Sequence, residues 1–145
     1  MFTHILLPVD GSSTSSMAVD KVRGLAQAFK STVTVIYVID PYAFSGVGAD
    51  FAYGQSQYLE AATAEASAAL AAASKLLEAA GIPVSASIIE GHAIYRGILE
   101  TASSVGADLI VMGSHGRRGL EKFVLGSVAA QVLAHAHLPI LVVRD

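Results

Sequence analysis

Asp108-Leu109-Ile110-Val111-Met112 runs directly into Gly113-Ser114-His115-Gly116-Arg117-Arg118-Gly119, with Leu125-Gly126-Ser127 a few residues further on. The apolar run reads as a buried strand. A strand that ends in closely spaced glycines and then enters a helix exposes backbone N–H groups to any anion placed there. Two familiar phosphate motifs do not fit. A Walker A loop needs G-x-x-x-x-G-K-[ST], and neither Gly113 nor Gly126 begins or ends such a string. The dinucleotide fingerprint belongs on the first strand-to-helix turn, which here reads Val9-Asp10-Gly11-Ser12-Ser13. The stretch is therefore a phosphate-type loop of another kind, placed late in an α/β chain.

Working outward, Ile5-Leu6-Leu7-Pro8-Val9 is a short apolar strand that stops at the turn and cap residues Asp10-Gly11-Ser12. Pro8 sits near its end, where losing a ladder hydrogen bond costs least. From about residue 13 to 30, Met17, Val22, Leu25, Ala26 and Phe29 recur at helical spacing. Thr32 to Ile39 is dense in β-branched residues and ends at Asp40-Pro41, as a second strand should. Residues 42 to 54 hold Gly46, Gly48 and Gly54 among aromatics without a period, which predicts a long loop. The Ala-, Leu- and Glu-rich stretch from about 57 to 80 predicts a helix closed by Gly81 and Pro83. Val84 to Ile89 is a weaker strand with partial alternation, suited to an edge. Ile94, Ile98, Leu99 and Ala102 form a helical stripe ending at Gly106. After the strand at 108 to 112, Val124, Val128, Val132 and Leu133 line a further helix, and Pro139 to Val143 is a fifth strand. Strands alternating with helices predict a parallel sheet covered on both faces.

Composition agrees. The 145 residues suffice for one domain, and 53% apolar content with a mean hydropathy of +0.56 supplies a core. Only 14% of residues are charged and the net charge is -3, so nothing attracts nucleic acid in general and any anion site must be local. The absence of cysteine excludes disulfides and thiolate metal sites. Met1-Phe2-Thr3-His4-Ile5 lacks the features of a secretory signal, and no apolar run approaches the ~20 residues of a membrane span. The expectation is a soluble cytoplasmic domain.

In an open parallel sheet, ligands bind beyond the carboxyl ends of the strands, where the winding reverses. Asp10 follows strand one and Gly113 ends strand four, so both belong to that rim. If those strands are neighbours, a carboxylate suited to a ribose hydroxyl or base amine faces a loop suited to phosphate. That pairing describes a nucleotide. With the opening Ile5 to Ser12, the spacing Gly113-x2-Gly116-x9-Gly126-Ser127 and the ending Pro139 to Val143, the whole chain resembles the universal stress protein family, and its glycine spacing resembles the ATP-binding branch.

The resemblance implies a five-stranded parallel sheet of order 3-2-1-4-5 in an adenine nucleotide alpha hydrolase-like fold. It also implies a homodimer formed through the last strand, Pro139 to Val143, and one ATP per subunit. Carried over, Pro8, Val9 and Asp10 would border the adenosine, Val38 would contact adenine, and Met112 and Gly113 would lie under the ribose and first phosphate. Gly116, Gly126, Ser127 and Val128 would hold the phosphate tail. His115 and Arg117 occupy variable positions of the loop.

The residues add their own expectations. Gly116 can adopt positive φ, Gly126 permits close backbone approach, and Ser127 opens a helix whose dipole favours anions by roughly 0.3 to 1 kcal/mol. Lacking a P-loop lysine, the outer phosphates need Arg117, Arg118, solvent or Mg²⁺. Asp10 equally suits a cap of the first helix, as do Ser12 and Ser13, and the Arg117-Arg118-Lys122 cluster suits a solvated surface. His135 and His137 do not face each other on a helix and suit a helix end better than a metal site. Five of the ten Phe and Tyr residues, Tyr42, Phe44, Phe51, Tyr53 and Tyr58, fall between 42 and 58, which marks a cover for the nucleotide or a surface for a protein partner. No residue set predicts efficient catalysis; slow ATP hydrolysis, with His115 orienting a water, is the most the loop offers. A nucleotide-tuned stress or signalling dimer is the leading reading. The alternatives are a nucleotide-independent dimeric adaptor and a binder of AMP or cyclic AMP.

Overall fold

The computed structural model describes residues 1–41, 48–116 and 125–145, with the side chains of 48–53 outside that description. Its elements run β1 (His4–Pro8), α1 (Ser13–Phe29), β2 (Thr32–Ile39), α2 (Gly48–Ala79), β3 (Val84–Glu90), α3 (Ile94–Val105), β4 (Leu109–Gly113), α4 (Ser127–His135) and β5 (Ile140–Val143). The strands form a sheet of order β3-β2-β1-β4-β5, and every neighbouring pair is parallel. β1 is central because it is apolar on both faces: Ile5, Leu6 and Leu7 are all fully buried. Alternate residues of a strand point to opposite sides. Ile5, Leu7 and Val9 therefore join Val33, Val35, Leu109 and Val111 under α1 and α2, through Val19, Val22, Leu70 and Leu77. Leu6 joins Ile36, Val38, Ile110 and Met112 under α3 and α4, through Ile98, Ala102, Ala129 and Val132.

The expected order and the edge position of β3 are both observed. β3 is largely exposed along its length, which is why its sequence alternates weakly. Three sequence expectations need correction. Residues 48 to 54 are helical, not loop: α2 begins at Gly48 and runs through Gly54. Each glycine costs about 1 kcal/mol in a helix interior, which erases the sequence signal without preventing the helix. Side-chain bonds fasten this end to the sheet, with Gln55 Nε2 donating to the Pro41 carbonyl at 3.1 Å and the Tyr58 hydroxyl to the Asp40 carbonyl at 3.4 Å. Leu133 lies 45% exposed instead of lining the core side of its helix, and Val124 lies outside the described residues. Phe29 is only half-covered, meeting Phe2 edge-to-face at 5.5 Å. No described helix is long and apolar enough to cross a membrane.

At the amino ends of β1 and β4, the Asp108 carboxylate accepts hydrogen bonds from the Thr3 N–H at 2.9 Å, the Thr3 hydroxyl at 3.1 Å and the His4 N–H at 3.0 Å. Desolvation pushes this carboxyl up, but the bonds from Thr3 and His4 together outweigh it and hold its pKa below the usual value. A folded pKa below the unfolded one stabilises the fold above the unfolded value, and the gain is lost as pH falls through the folded value. Asp108→Ala is therefore expected to lower the urea midpoint at neutral pH, with the gap to the native chain closing as pH falls below the ordinary carboxylate range. A gap independent of pH would show that Asp108 contributes by packing rather than charge.

Candidate functional site

β1 and β4 pair at Ile5↔Leu109 and Leu6↔Ile110, so the winding of the sheet reverses between them. The chain leaves β1 through a tight turn. Asp10 Oδ1 accepts the Ser12 N–H at 2.9 Å, and Gly11 takes φ +79°, a left-handed conformation that an L side chain would strain. Ser12 then caps α1, accepting the Ser15 N–H on its hydroxyl at 3.2 Å. Asp10 thus does not cap the helix; its carboxylate shapes the turn that precedes the cap.

The chain leaves β4 in a loop stitched at its base. The Ser114 N–H donates to the Val143 carbonyl at 2.8 Å, and the Gly126 N–H returns to the Ser114 carbonyl at 2.7 Å. The Thr14 hydroxyl, in the first turn of α1, donates to the His115 carbonyl. These contacts press backbone against backbone, and the glycines make room. A Cβ on Gly126 would lie 2.9 Å from both His115 Cα and the Ser114 oxygen, and one on Gly113 would lie 2.6 Å from Thr14 Oγ1. A Cβ on Gly116 would lie 2.5 Å from Asp10 Oδ2, so the turn after β1 and the loop after β4 meet at these residues.

Of the residues singled out from sequence, Asp10, Gly113, His115, Gly116 and Gly126 come together here. Ser127 opens α4, and Val128 follows, partly buried against the α3–α4 side of the sheet. Gly126 caps α4 without a side-chain hydrogen bond, and no acidic residue occupies the first turn. Among the described residues, no side chain caps the first N–H groups of that helix. Pro8 ends β1, half-buried. Val9 turns to the α1–α2 side, while Met112 is buried on the α3–α4 side. Val38 is buried on the same side as Met112, pressed onto Gly97, whose Cβ would lie 2.8 Å from a Val38 methyl. Arg117, with Arg118 and Lys122, lies outside the described residues.

Gly116 does not use positive φ, contrary to the sequence expectation; among the described glycines only Gly11, Gly81 and Gly106 do. What the structure requires of Gly116 is space beside Asp10, not conformational freedom. The sequence reading also passed over Ser114 and Thr14. Ser114 is buried, and among the described residues its hydroxyl has no hydrogen-bond partner. The His115 Nε2 is likewise buried without a hydrogen bond among the described residues, with Asp145 Oδ1 3.9 Å away. A serine between two flagged neighbours was readable as a donor aimed at the loop; the bond from Thr14 joins residues 101 positions apart and leaves no sequence signal. His135 ends α4 as expected, its Nδ1–H bonded to the Gln131 carbonyl at 2.8 Å and its ring 5.0 Å from Tyr95.

A five-stranded parallel sheet of order 3-2-1-4-5, flanked by helices and carrying a glycine loop at the reversal, defines the adenine nucleotide alpha hydrolase-like class of α/β proteins. Within that class, the model of the universal stress protein family matches residues 1–144, and the chain belongs to that family. Universal stress protein MJ0531 of Methanocaldococcus jannaschii is 36% identical over 144 residues, covering 99% of this chain and 83% of that protein. The structure of MJ0577, from the same organism, superposes with a TM-score of 0.86 at 31% identity, covering 100% of this chain and 97% of that one. The crystal structure of a universal stress protein in complex with cAMP aligns with a TM-score of 0.69 at 25% identity, covering 99% and 97%.

Proposed function

We propose that this universal stress protein binds an adenine nucleotide, ATP in the first instance, between the Asp10 turn and the glycine loop. Bound nucleotide then tunes the conformation or partner binding of a homodimer. The observation that carries this reading is the meeting of Asp10 with Gly116 at the reversal of the sheet, beside the start of α4, which is capped by a glycine and has no acidic residue in its first turn. An anion is favoured at such a start, and a carboxylate a short distance away suits a ribose hydroxyl or an adenine amine. In this reading Asp10 recognises the nucleoside, with Pro8, Val9, Met112 and Gly113 bordering it. Gly116, Gly126, Ser127 and Val128 hold the phosphates, aided by His115 and Arg117. The unpartnered Ser114 hydroxyl and His115 Nε2 supply further polar atoms close to the loop. Val38 meets a base only at the cost of moving from Gly97.

Mg²⁺ accompanies the outer phosphates, for which the motif supplies no P-loop lysine. The dimer forms along β5, an edge strand whose Leu141 is 39% exposed. A protein client in the cytoplasm is the expected partner of the aromatic segment 42–58, of which residues 42–47 and the side chains of 48–53 lie outside the described residues, and hydrolysis, where it occurs, is slow. The relative solved with cAMP supports a second arm, a cyclic nucleotide in the same crevice.

Calorimetric titration of nucleotide-free protein with ATP and Mg²⁺, and separately with cAMP, tests the reading alongside Gly116→Val. Among the described residues a Cβ at 116 would meet only the end of the Asp10 side chain, so the variant should fold while binding at least about tenfold more weakly, having lost the alignment of a charged partner. Saturation at one nucleotide per chain that the variant loses is the expected outcome. Tighter binding of cAMP than of ATP would select the cyclic nucleotide. No heat with either, or equal affinity in the variant, would overturn the site and leave a nucleotide-independent dimeric adaptor.

A further inference from the structure

His115 stands in the loop after β4 and Asp145 lies two residues beyond the end of β5, yet the fold brings their side chains together. The bond from the Ser114 N–H to the Val143 carbonyl lays the start of the loop against the end of β5. The Thr14 hydroxyl of α1 holds the His115 carbonyl. With its main chain tied in this way, the His115 side chain is 12% exposed and its Nε2 is buried, with Asp145 Oδ1 3.9 Å away. Among the described residues Nε2 has no hydrogen bond, and the Asp145 carboxylate is the charged group beside it.

A buried ring nitrogen left without a partner costs stability, and an ionised carboxylate can only accept. The bond that satisfies Nε2 therefore makes it the donor. At 3.9 Å that bond is not closed, but the Asp145 side chain is 31% exposed, so rotation about its own bonds closes it without moving β5. A bond made at one ring nitrogen fixes the role of the other. Nδ1 is joined to Cγ and is the ring nitrogen nearer the main chain of His115 and Gly116, where the nucleotide reading seats phosphate. With both nitrogens protonated, Nε2 donates to Asp145 and Nδ1 is left to make a charge-assisted bond to a phosphate oxygen. We propose that Asp145 is the positioning residue of His115: it holds the imidazole by Nε2 and so presents Nδ1 to a phosphate seated on the glycine loop. The identity of that phosphate rests on the nucleotide reading above; the hold of Asp145 on the ring does not. Charge alone predicts the reverse, since a carboxylate near the loop repels phosphate and its removal would tighten binding.

Asp145→Ala is compared with the native chain in two measurements. In nucleotide-free protein, carbon-13 relaxation of the labelled His115 ring reports its fast motion, and the ring should be ordered in the native chain and loosened in the variant. In calorimetric titration the variant should bind ATP about three- to tenfold more weakly, the worth of one hydrogen bond. Adenosine, which carries no phosphate, should bind with unchanged affinity. In a His115→Gln background, Asp145→Ala should weaken ATP no further, because the carboxylate acts through the ring. Asp145→Asn, which keeps the size of the side chain and removes its charge, serves if alanine lowers the melting temperature. A ring equally ordered with and without the carboxylate overturns the proposal. So does equal or tighter ATP binding, a matching loss for adenosine, or a loss of the same size when residue 115 is glutamine. If the native chain binds neither ATP nor adenosine, the nucleotide reading fails and the phosphate role of Nδ1 with it, and the ring order alone then decides whether Asp145 holds His115.

Discussion

Leu7→Ala is expected to lower the unfolding free energy by about 2–5 kcal/mol, a large part of the ~5–15 kcal/mol that holds a typical domain together. Leu7 is fully buried in the central strand, its neighbour across β1–β2 is Val35, and its side chain lies in the cluster beneath α1 and α2. Deleting its branched end removes apolar burial and leaves a cavity that surrounding strands and helices, fixed on every side, are poorly placed to collapse. Urea denaturation of the variant should show a lower midpoint with an unchanged slope. The same truncation at Leu141, on the edge strand and 39% exposed, should cost the isolated chain far less. Comparable losses at both positions would mean that β5 is covered in solution.

Gly113→Val is the second large effect, and it separates glycines that build the fold from glycines that face the crevice. A Cβ there would stand 2.6 Å from Thr14 Oγ1, 2.9 Å from Thr14 Cβ and 3.0 Å from the Thr14 carbonyl carbon. The last of these is helix backbone, so relief requires α1 to move away from β4 and the Thr14 bond to His115 to break. Overpacking of this kind costs about 1–3 kcal/mol or more. The expected result is a melting temperature lowered by several degrees, together with loss of any nucleotide affinity. Gly116→Val, whose Cβ meets only the end of the Asp10 side chain among the described residues, should keep the native melting temperature. Equal melting temperatures for the two variants would show that α1 and β4 have slack at their contact.

Much of this architecture is legible from residues alone, and the failures have identifiable causes. β1, β2 and β4 announce themselves as unbroken apolar runs because both sides of each strand are covered by helices. α3 is readable from its stripe and from Gly106, which ends it in the left-handed conformation at φ 69°. The first turns of α2 are not, because Gly48 and Gly54 carry neither helix propensity nor an apolar stripe. The meeting of Asp10 and Gly116 was expected from the rim they share, but what brings them to contact is tertiary. Thr14 is bonded to a carbonyl that sequence places far away, and Ser114 holds β5 on one side and Gly126 on the other. Val38 illustrates the converse: its position in β2 suits contact with a base, yet its methyls are already spent on Gly97 of α3.

The pair of hydrogen bonds made by the Ser114 backbone, its N–H to Val143 and its carbonyl accepting from Gly126, also sets how freely the segment between 114 and 126 can change in length. Both of these bonds run backbone to backbone, so neither uses a side chain of the residues between them. Added residues then cost only the slow logarithmic entropy of a longer ring, about 0.6 kcal/mol for each doubling. The segment is in effect a cassette: its contents can be exchanged for a shorter, longer or differently charged run while strand β4 and helix α4 stay in register.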